Sequence, residues 1–253
     1  MPNINQIFFQ EYIGNKSHLP PLILLHGAGG NYLSWPAQFR RLPGFRVITP
    51  DLPGHGSSSG CGCQSIESYS RQIDQFIQEL KIFRFFVVGH SMGGAIAMHL
   101  AAEHPDQVVG LGLTACADRF ELSAQFLETL TDGERFGEAL QLFEKLSFSS
   151  STPKAFRQKV MLPLKAVRPS LFLGDVIATS QFDFSKQIKR IHCPTWIACG
   201  KEDQLALPER VKYIAEKIPN SHLTLVPDCG HMLVIEKPDY LARELKMFLE
   251  SVG

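Results

Sequence analysis

The chain has 253 residues, of which 44% are hydrophobic and 20% charged, which suits one large folded domain and excludes disorder as the overall state. Its 25 basic and 25 acidic residues balance, so the electrostatic attraction on which nucleic-acid-binding proteins depend is absent. No apolar run approaches the length of a membrane span. The first six residues lack the basic start and apolar run of a signal peptide, so we expect a cytoplasmic protein with neither a membrane nor a nucleic-acid partner. The sequence makes no prediction of the oligomeric state.

The six cysteines are expected to be reduced thiols, because disulfides are rare in cytoplasmic proteins. The Cys61-Gly62-Cys63 pair lacks the second Cys or His pair of a zinc site. No metal site is therefore predicted.

Short apolar runs alternate with helical patterns along most of the chain. The runs are bounded by Gly or Pro and are continuously apolar, which is typical of strands covered on both faces of a parallel sheet. They lie at 22–25, 46–49, 85–88, 108–113, 195–198 and 223–226. Helical patterns lie between them at 69–80, 94–103, 208–217 and 238–250. The alternation predicts an α/β fold with three layers, in which helices cover both faces of a mostly parallel central sheet.

The alternation lapses between residues 118 and 190, where the pattern is helical and no strand is evident. We therefore predict a core made of residues 1–117 and 191–253, with residues 118–190 inserted as a helical cap. Within this insertion, residues 145–174 contain six basic residues and no acidic one. A solvated face is the simpler interpretation of this run, and a site for an anionic substrate group is the alternative.

The strongest motif is Gly89-His90-Ser91-Met92-Gly93, which follows an apolar strand and opens an Ala-rich helix. A serine between two glycines at a strand-to-helix turn is typical of a nucleophile elbow, because the glycines leave room for the tight turn. The turn would place the Met92 N–H at the start of a helix, where unpaired N–H groups favour negative charge. Ser91 is thus the candidate nucleophile.

A serine nucleophile needs a general base, and His231 is the candidate. It follows the strand predicted at 223–226, so it lies on a loop at the carboxyl end of the sheet. His26, His55 and His90 are alternatives, but each lies in a glycine-rich turn where an imidazole more often stabilises the loop.

Asp203 is the candidate for the carboxylate that orients the base. It follows the strand predicted at 195–198 and so lies at the same edge of the sheet as the serine and the histidine. Glu202 and Asp118 are alternatives at that edge. The order serine, aspartate, histidine along the chain is the order of α/β-hydrolase triads.

A glycine-rich turn at residues 26–30 follows the first predicted strand, and its backbone N–H groups could stabilise an oxyanion. Ala28, together with Met92, is the candidate pair of donors. The turn has neither the Gly-Lys-Ser/Thr ending of a phosphate-binding loop nor the spacing of a dinucleotide site. No cofactor is predicted.

Five motifs occur in order at residues 26–30, 51–57, 89–94, 200–203 and 230–231. With these motifs the chain resembles the α/β-hydrolase superfamily, in its lidded serine esterase-like branch. The resemblance implies Ser91 as nucleophile, His231 as base and Asp203 as the orienting acid, with Ala28 and Met92 as oxyanion donors. It also implies a structural loop after Asp51 and a cap over the acyl pocket. Candidate pocket residues in the cap are Phe126, Phe143 and Met161.

The expected activity is that of a serine carboxylesterase acting on small esters with short to medium acyl chains, through an acyl-enzyme intermediate and without a metal or cofactor. Ser91 stands where haloalkane dehalogenases and epoxide hydrolases have Asp, which excludes both. Met232 follows the histidine where carbon–carbon hydrolases usually have Trp. A carbon–carbon bond hydrolase and a catalytically silent ligand receptor of the same fold stay open as alternatives.

Overall fold

The computed structural model describes residues 3–14 and 18–253. In these ranges eight strands form one sheet, in the order β1-β2-β4-β3-β5-β6-β7-β8. Strands β3 to β8 are parallel, whereas β2 pairs antiparallel with β4 and with the short edge strand β1. The strands are β1 (Asn3–Ile4), β2 (Ile7–Ile13), β3 (Leu22–Leu25), β4 (Arg46–Pro50), β5 (Phe85–His90), β6 (Val108–Thr114), β7 (Thr195–Gly200) and β8 (Ser221–Val226).

The mostly parallel α/β sheet predicted from the sequence is confirmed, and each of the six predicted runs forms a strand. The two antiparallel strands at the sheet edge were not predicted. In β2 only the first three residues are buried, and Gln10 and Glu11 interrupt the apolar run. A strand next to the sheet edge that is covered along only part of its length does not show the continuous apolar pattern of the central strands.

Helices cover both faces of the sheet, as a three-layer fold requires. They are α1 (Ala37–Arg40), α2 (Ile66–Glu79), α3 (Met92–Glu103), α4 (Ala124–Thr131), α5 (Phe136–Ser147), α6 (Lys154–Met161), α7 (Pro169–Ser180), α8 (Pro208–Lys217), α9 (Leu233–Glu236) and α10 (Pro238–Val252). Helices α2, α3 and α8 bury apolar side chains against one face. Helices α1, α9 and α10 do so against the other face. All four predicted helical segments are confirmed as α2, α3, α8 and α10.

Helices α4 to α7 lie between β6 and β7 and pack around an apolar cluster of their own. An isolated bridge between Arg119 and Asp183 joins the two ends of this segment. We call residues 118–190 the inter-strand segment. No helix in the described ranges has the length and apolarity needed to cross a membrane. All six cysteines are free thiols.

Candidate active site

Ser91 lies in the turn between β5 and α3 with a left-handed backbone conformation, φ 53° and ψ −117°. A residue with a Cβ adopts this conformation only at a cost in free energy, so the surrounding structure must enforce it. The Ser91 N–H donates to the Thr114 carbonyl on β6 at 2.9 Å, which ties the turn to the neighbouring strand. The strained turn holds the hydroxyl at the carboxyl edge of the parallel strands.

Gly89 and Gly93 permit the tight turn because backbone atoms occupy the places where their side chains would be. A Cβ at Gly89 would overlap the Gly93 carbonyl, and a Cβ at Gly93 would overlap the carbonyls of Leu25 and His26. These contacts are with backbone, which cannot move aside as a side chain can. Both glycines of the motif are therefore required by the geometry.

His231 lies within hydrogen-bonding distance of both Ser91 and Asp203. Its Nε2 is 2.8 Å from Ser91 Oγ, and its Nδ1 is 3.0 Å from each carboxylate oxygen of Asp203. Because a carboxylate only accepts, the neutral imidazole carries its proton on Nδ1 and leaves Nε2 to accept from the serine hydroxyl. The structure thus brings together the three residues that the sequence places 112 and 28 positions apart along the chain (203 − 91 and 231 − 203).

Asp203 is held in place by the turn that follows β7. Its Oδ1 accepts hydrogen bonds from the N–H groups of Leu205 and Ala206, each at 2.9 Å. The side chain is fully buried. These backbone donors fix the position of the carboxylate independently of its contact with His231.

The two alternative acids make other contacts. Glu202 accepts from the Ser149 hydroxyl and from the Ser150 N–H and hydroxyl, each at 2.8 Å. Asp118 forms an ion pair with Arg210 at 2.5 Å. Neither carboxylate forms a hydrogen bond with His231, whose Nδ1 faces Asp203.

Of the alternative bases, His26 and His90 are fixed in the interior beside the candidate site. The Nδ1–H of His26 donates to the Gly27 carbonyl at 2.8 Å, and its Nε2 accepts from the Leu52 N–H at 2.9 Å. The His90 ring lies 5.2 Å from the His231 ring. Burial, reinforced by the neighbouring His231, lowers the pKa of His90 well below its ordinary value, so His90 stays neutral. His55 Nε2 lies 2.8 Å from the carboxylate of Asp175 on α7.

The candidate oxyanion donors are Ala28, in the turn after β3, and Met92, the first residue of α3. In the part of the chain that the structure describes, neither N–H donates a hydrogen bond. A helix N-terminus leaves its first N–H groups without intrahelical partners, as at Met92. Ala28, Ser91 and His231 line one cavity, and Met92 directly follows Ser91, so the two unpaired N–H groups are candidates to stabilise a negative charge beside Ser91.

This cavity has a volume of about 420 Å³ and extends from Ser91 toward the inter-strand segment. Two of the three candidate pocket residues, Phe126 of α4 and Phe143 of α5, line it. Met161 does not line it, which corrects the prediction for that residue. Its side chain is buried in the helical cluster and borders a second cavity between α5 and α6.

Other cavity-lining residues were missed from the sequence, among them Phe120, Leu205 and Ile235. They lie in loops and short elements whose apolar residues form no periodic pattern. Asp175, which does not line the cavity, was also missed, although the sequence of its helix marks it as unusual. It is the sole acidic residue in helix α7, whose sequence is PSLFLGDVIATS, and a buried carboxylate requires partners. No group of three or more His, Cys, Asp or Glu side chains in the described ranges could hold a metal ion.

Comparisons with known proteins agree with this architecture. The sequence model of the alpha/beta hydrolase family matches residues 22–244. The chain is 29% identical to monoacylglycerol lipase ABHD6 of Bos taurus, over 97% of this chain and 80% of that protein. It is 28% identical to Lipase 1 of Psychrobacter immobilis, over 90% and 76% of the two chains. The structure of a thermophilic esterase from Thermogutta terrifontis superposes with a TM-score of 0.85, at 24% identity and over 97% and 93% of the chains. The chain belongs to the alpha/beta hydrolase family.

Proposed function

We propose that this protein is a carboxylic-ester hydrolase in which Ser91 is the nucleophile, His231 the general base and Asp203 the carboxylate that orients the base. The observation that carries the proposal is the continuous hydrogen-bonded path from Ser91 Oγ through the imidazole to Asp203, at 2.8 and 3.0 Å. A serine hydroxyl is a weak nucleophile alone and becomes effective when an oriented base takes its proton.

The reaction proceeds by two acyl transfers. As Ser91 Oγ attacks the ester carbonyl, His231 Nε2 takes the hydroxyl proton, and the carbonyl oxygen becomes an oxyanion. The Ala28 and Met92 N–H groups stabilise this oxyanion. His231 then returns the proton to the departing alcohol, which leaves an acyl group on Ser91. A water molecule deprotonated by the same imidazole attacks the acyl-enzyme, releases the carboxylic acid and restores the serine.

The size of the cavity favours esters with short to medium acyl chains as substrates. Its volume of about 420 Å³ lies toward the lower end of the ~300–1,000 Å³ usual for small-molecule sites. We propose that residues 118–190 act as a cap over it, since Phe126 and Phe143 of this segment line its wall. The two sequence relatives named above are a monoacylglycerol lipase and a lipase, which makes short-chain monoacylglycerols a substrate class to test. A cytoplasmic location stays a prediction from the sequence.

The test is the hydrolysis of a series of p-nitrophenyl esters, from acetate to palmitate, by the wild type and by Ser91→Ala. The wild type should prefer short to medium chains, and Ser91→Ala should lose on the order of 10⁶-fold in kcat. Ser251→Ala, which removes an exposed hydroxyl of α10, is the matched control and should act like the wild type.

Three results would contradict the proposal. If Ser91→Ala kept a tenth of the wild-type rate, Ser91 would not be the nucleophile. If the wild type preferred palmitate, the acyl-chain assignment would be wrong. If it left every ester intact, the activity would be wrong, and turnover of a vinylogous diketone would then indicate the carbon–carbon hydrolase.

A further inference from the structure

Asp175 is a buried carboxylate of α7 that takes no part in the proposed proton transfers. It accepts three hydrogen bonds, from the Gly29 N–H at 2.8 Å, the His55 Nε2–H at 2.8 Å and the Tyr69 hydroxyl at 2.6 Å. The donors come from three separate parts of the fold, and the carboxylate has no exposed surface. Burying a charge is costly unless it is paired, so this arrangement is not an incidental surface contact.

The hydrogen-bond geometry defines the charge of His55. Its Nε2 faces the Asp175 carboxylate, and its Nδ1 lies 3.1 Å from the Pro53 carbonyl. Both partners only accept hydrogen bonds, so both ring nitrogens must carry a proton and the imidazole is positively charged. Burial acts to lower the pKa of His55, but the hydrogen bond and the negative charge of Asp175 outweigh it and raise the pKa above its ordinary value.

Two titratable groups from the neighbouring loops face His55. The His26 ring lies 5.0 Å from it in an edge-on arrangement and is neutral, because burial and then the charge of His55 lower the pKa of His26. The negative charge of Asp51 also favours protonated His55. Asp51 itself accepts from the Tyr32 and Ser57 N–H groups at 2.7 and 2.8 Å.

Two further groups, from α2 and from the loop before it, face Asp175 and are neutral. Burial, followed by the charge of Asp175, raises the pKa of Tyr69, so its hydroxyl stays a donor. The same two causes raise the pKa of the Cys63 thiol to about 11. The charged members of the cluster that contact each other are thus Asp175 and His55.

The Gly29 N–H connects this ion pair to the candidate oxyanion site. In a trans peptide the C=O and N–H point in opposite directions, so the bond from the Gly29 N–H sets the plane of the Ala28–Gly29 peptide. The Ala28 N–H belongs to the preceding Gly27–Ala28 peptide, whose carbonyl accepts from the Gly30 N–H at 3.1 Å, so both peptides are restrained within one tight turn. Gly29 has a φ of 63° and packs so closely against Leu164 and Phe172 that a Cβ would overlap them. The turn is thus held from the side of the inter-strand segment.

We propose that Asp175 is a positioning residue, which as the ion-pair partner of protonated His55 fixes the Ala28–Gly29 peptide, restrains the adjoining Gly27–Ala28 peptide through the same turn, and so holds the Ala28 N–H toward the oxyanion. This inference rests on the proposed function. It assigns to the inter-strand segment a part in transition-state stabilisation, in addition to its part in lining the cavity.

The charge of His55 should make the activity depend on pH. The pKa of folded His55 is above that of the unfolded chain, so the pair contributes its full stability below pH ~6.5 and loses it as the pH rises through the raised pKa. When His55 is neutral, Asp175 lacks its counter-ion and holds the Gly29 turn less firmly. The turnover number kcat should therefore fall reversibly on the alkaline side.

The first test is Asp175→Asn, which keeps the shape of the side chain and an acceptor for Gly29 but removes the charge. We expect kcat for p-nitrophenyl butyrate to fall on the order of 10- to 100-fold, less than the loss of a whole oxyanion donor, while KM changes by less than about twofold. Asp183→Asn removes an exposed carboxylate just beyond the same helix and should leave both constants unchanged.

A pair of inhibitors separates positioning from a general structural effect. An alkyl trifluoromethyl ketone binds by forming a hemiketal oxyanion with Ser91, whereas the corresponding alcohol occupies the cavity without one. Asp175→Asn should lose affinity for the ketone by about the factor lost in kcat/KM and keep its affinity for the alcohol. An equal loss for both compounds, or no loss for either, would overturn the proposal.

Two milder variants keep the test informative if Asp175→Asn does not fold. Tyr69→Phe removes one of the three donors and should lower kcat only a few-fold. In His55→Gln the glutamine side chain can donate an N–H to Asp175 but does not titrate, so the alkaline fall in kcat should vanish. An alkaline fall that persists in this variant would overturn the proposal. Wild-type ester hydrolysis with full activity in Asp175→Asn would refute this inference alone, whereas a wild type that neither hydrolyses esters nor binds the ketone would refute the proposed function as well.

Discussion

Replacing Asp203 by asparagine tests whether the carboxylate orients the base. The orientation of the new amide is set by the backbone, because one oxygen position of Asp203 accepts two N–H groups, from Leu205 and Ala206. The amide oxygen must occupy that position, since the NH₂ group would face two donors there. The NH₂ group is then placed beside His231 Nδ1, which lies 3.0 Å from both positions.

The amide N–H would favour the imidazole tautomer with its proton on Nε2. That proton would face Ser91 Oγ at 2.8 Å, where the reaction needs an acceptor. For a triad whose geometry is kept but whose tautomer is wrong, the loss is on the order of 10⁴ in kcat. At about 1.36 kcal/mol per factor of ten, this corresponds to roughly 5.4 kcal/mol of transition-state stabilisation.

The assay is the steady-state hydrolysis of p-nitrophenyl butyrate, with circular dichroism to establish that Asp203→Asn is folded. Asp228→Asn is a matched control, because Asp228 is an exposed carboxylate on the loop that leads to His231. Its φ of 49° is tolerated by asparagine, so its activity should stay within about twofold of the wild type. A folded Asp203→Asn protein with a tenth of the wild-type kcat would show that the carboxylate does not orient the base.

Three further predictions concern the serine turn, the lining of the cavity and a buried ion pair. Gly93→Ala should lower kcat/KM by at least ~10²-fold, because the added methyl group would overlap backbone carbonyls and displace the serine turn. The control is Gly137→Ala on α5, where the added methyl group has open space, and this variant should raise the melting temperature slightly. Phe143→Ala should shift the p-nitrophenyl ester preference toward longer acyl chains by enlarging the cavity, and an unchanged preference would contradict its place in the lining. Arg210→Met should lower the free energy of unfolding in urea by about 3 kcal/mol by leaving buried Asp118 without its ion-pair partner, and Asp118→Asn in the same chain should recover part of this loss.

The central strands could be predicted because a strand covered on both faces must be apolar throughout its length. This pattern located β3 to β8 within two residues at each end. The pattern fails where burial is partial, as in β2, where only the first three residues are buried. A pattern that depends on continuous burial therefore could not predict the strands at the edge of the sheet.

Ser91, Asp203 and His231 could be selected from the sequence because each follows a predicted strand, and parallel strands bring their carboxyl ends to one edge. The lining of the cavity could not be predicted in this way. Phe126, Phe143 and Met161 have the same helical context in the sequence, and the packing angle of their helices decides which of them reaches the cavity. Met161 packs inward against the helical cluster instead.

The Asp175 contacts were also beyond reach from the sequence, because they join positions 106 and 146 residues apart. A lone carboxylate in an apolar helix indicates that some buried partner exists. It does not indicate which residue that partner is, since that depends on how α7 docks against the core.

The most direct test of the account is to label the protein with a fluorophosphonate and locate the adduct by peptide mass spectrometry. We expect a single adduct on Ser91, formed rapidly in the wild type and at a greatly reduced rate in His231→Ala. An adduct on another residue, or equal labelling rates in the two proteins, would contradict the claim that His231 activates Ser91.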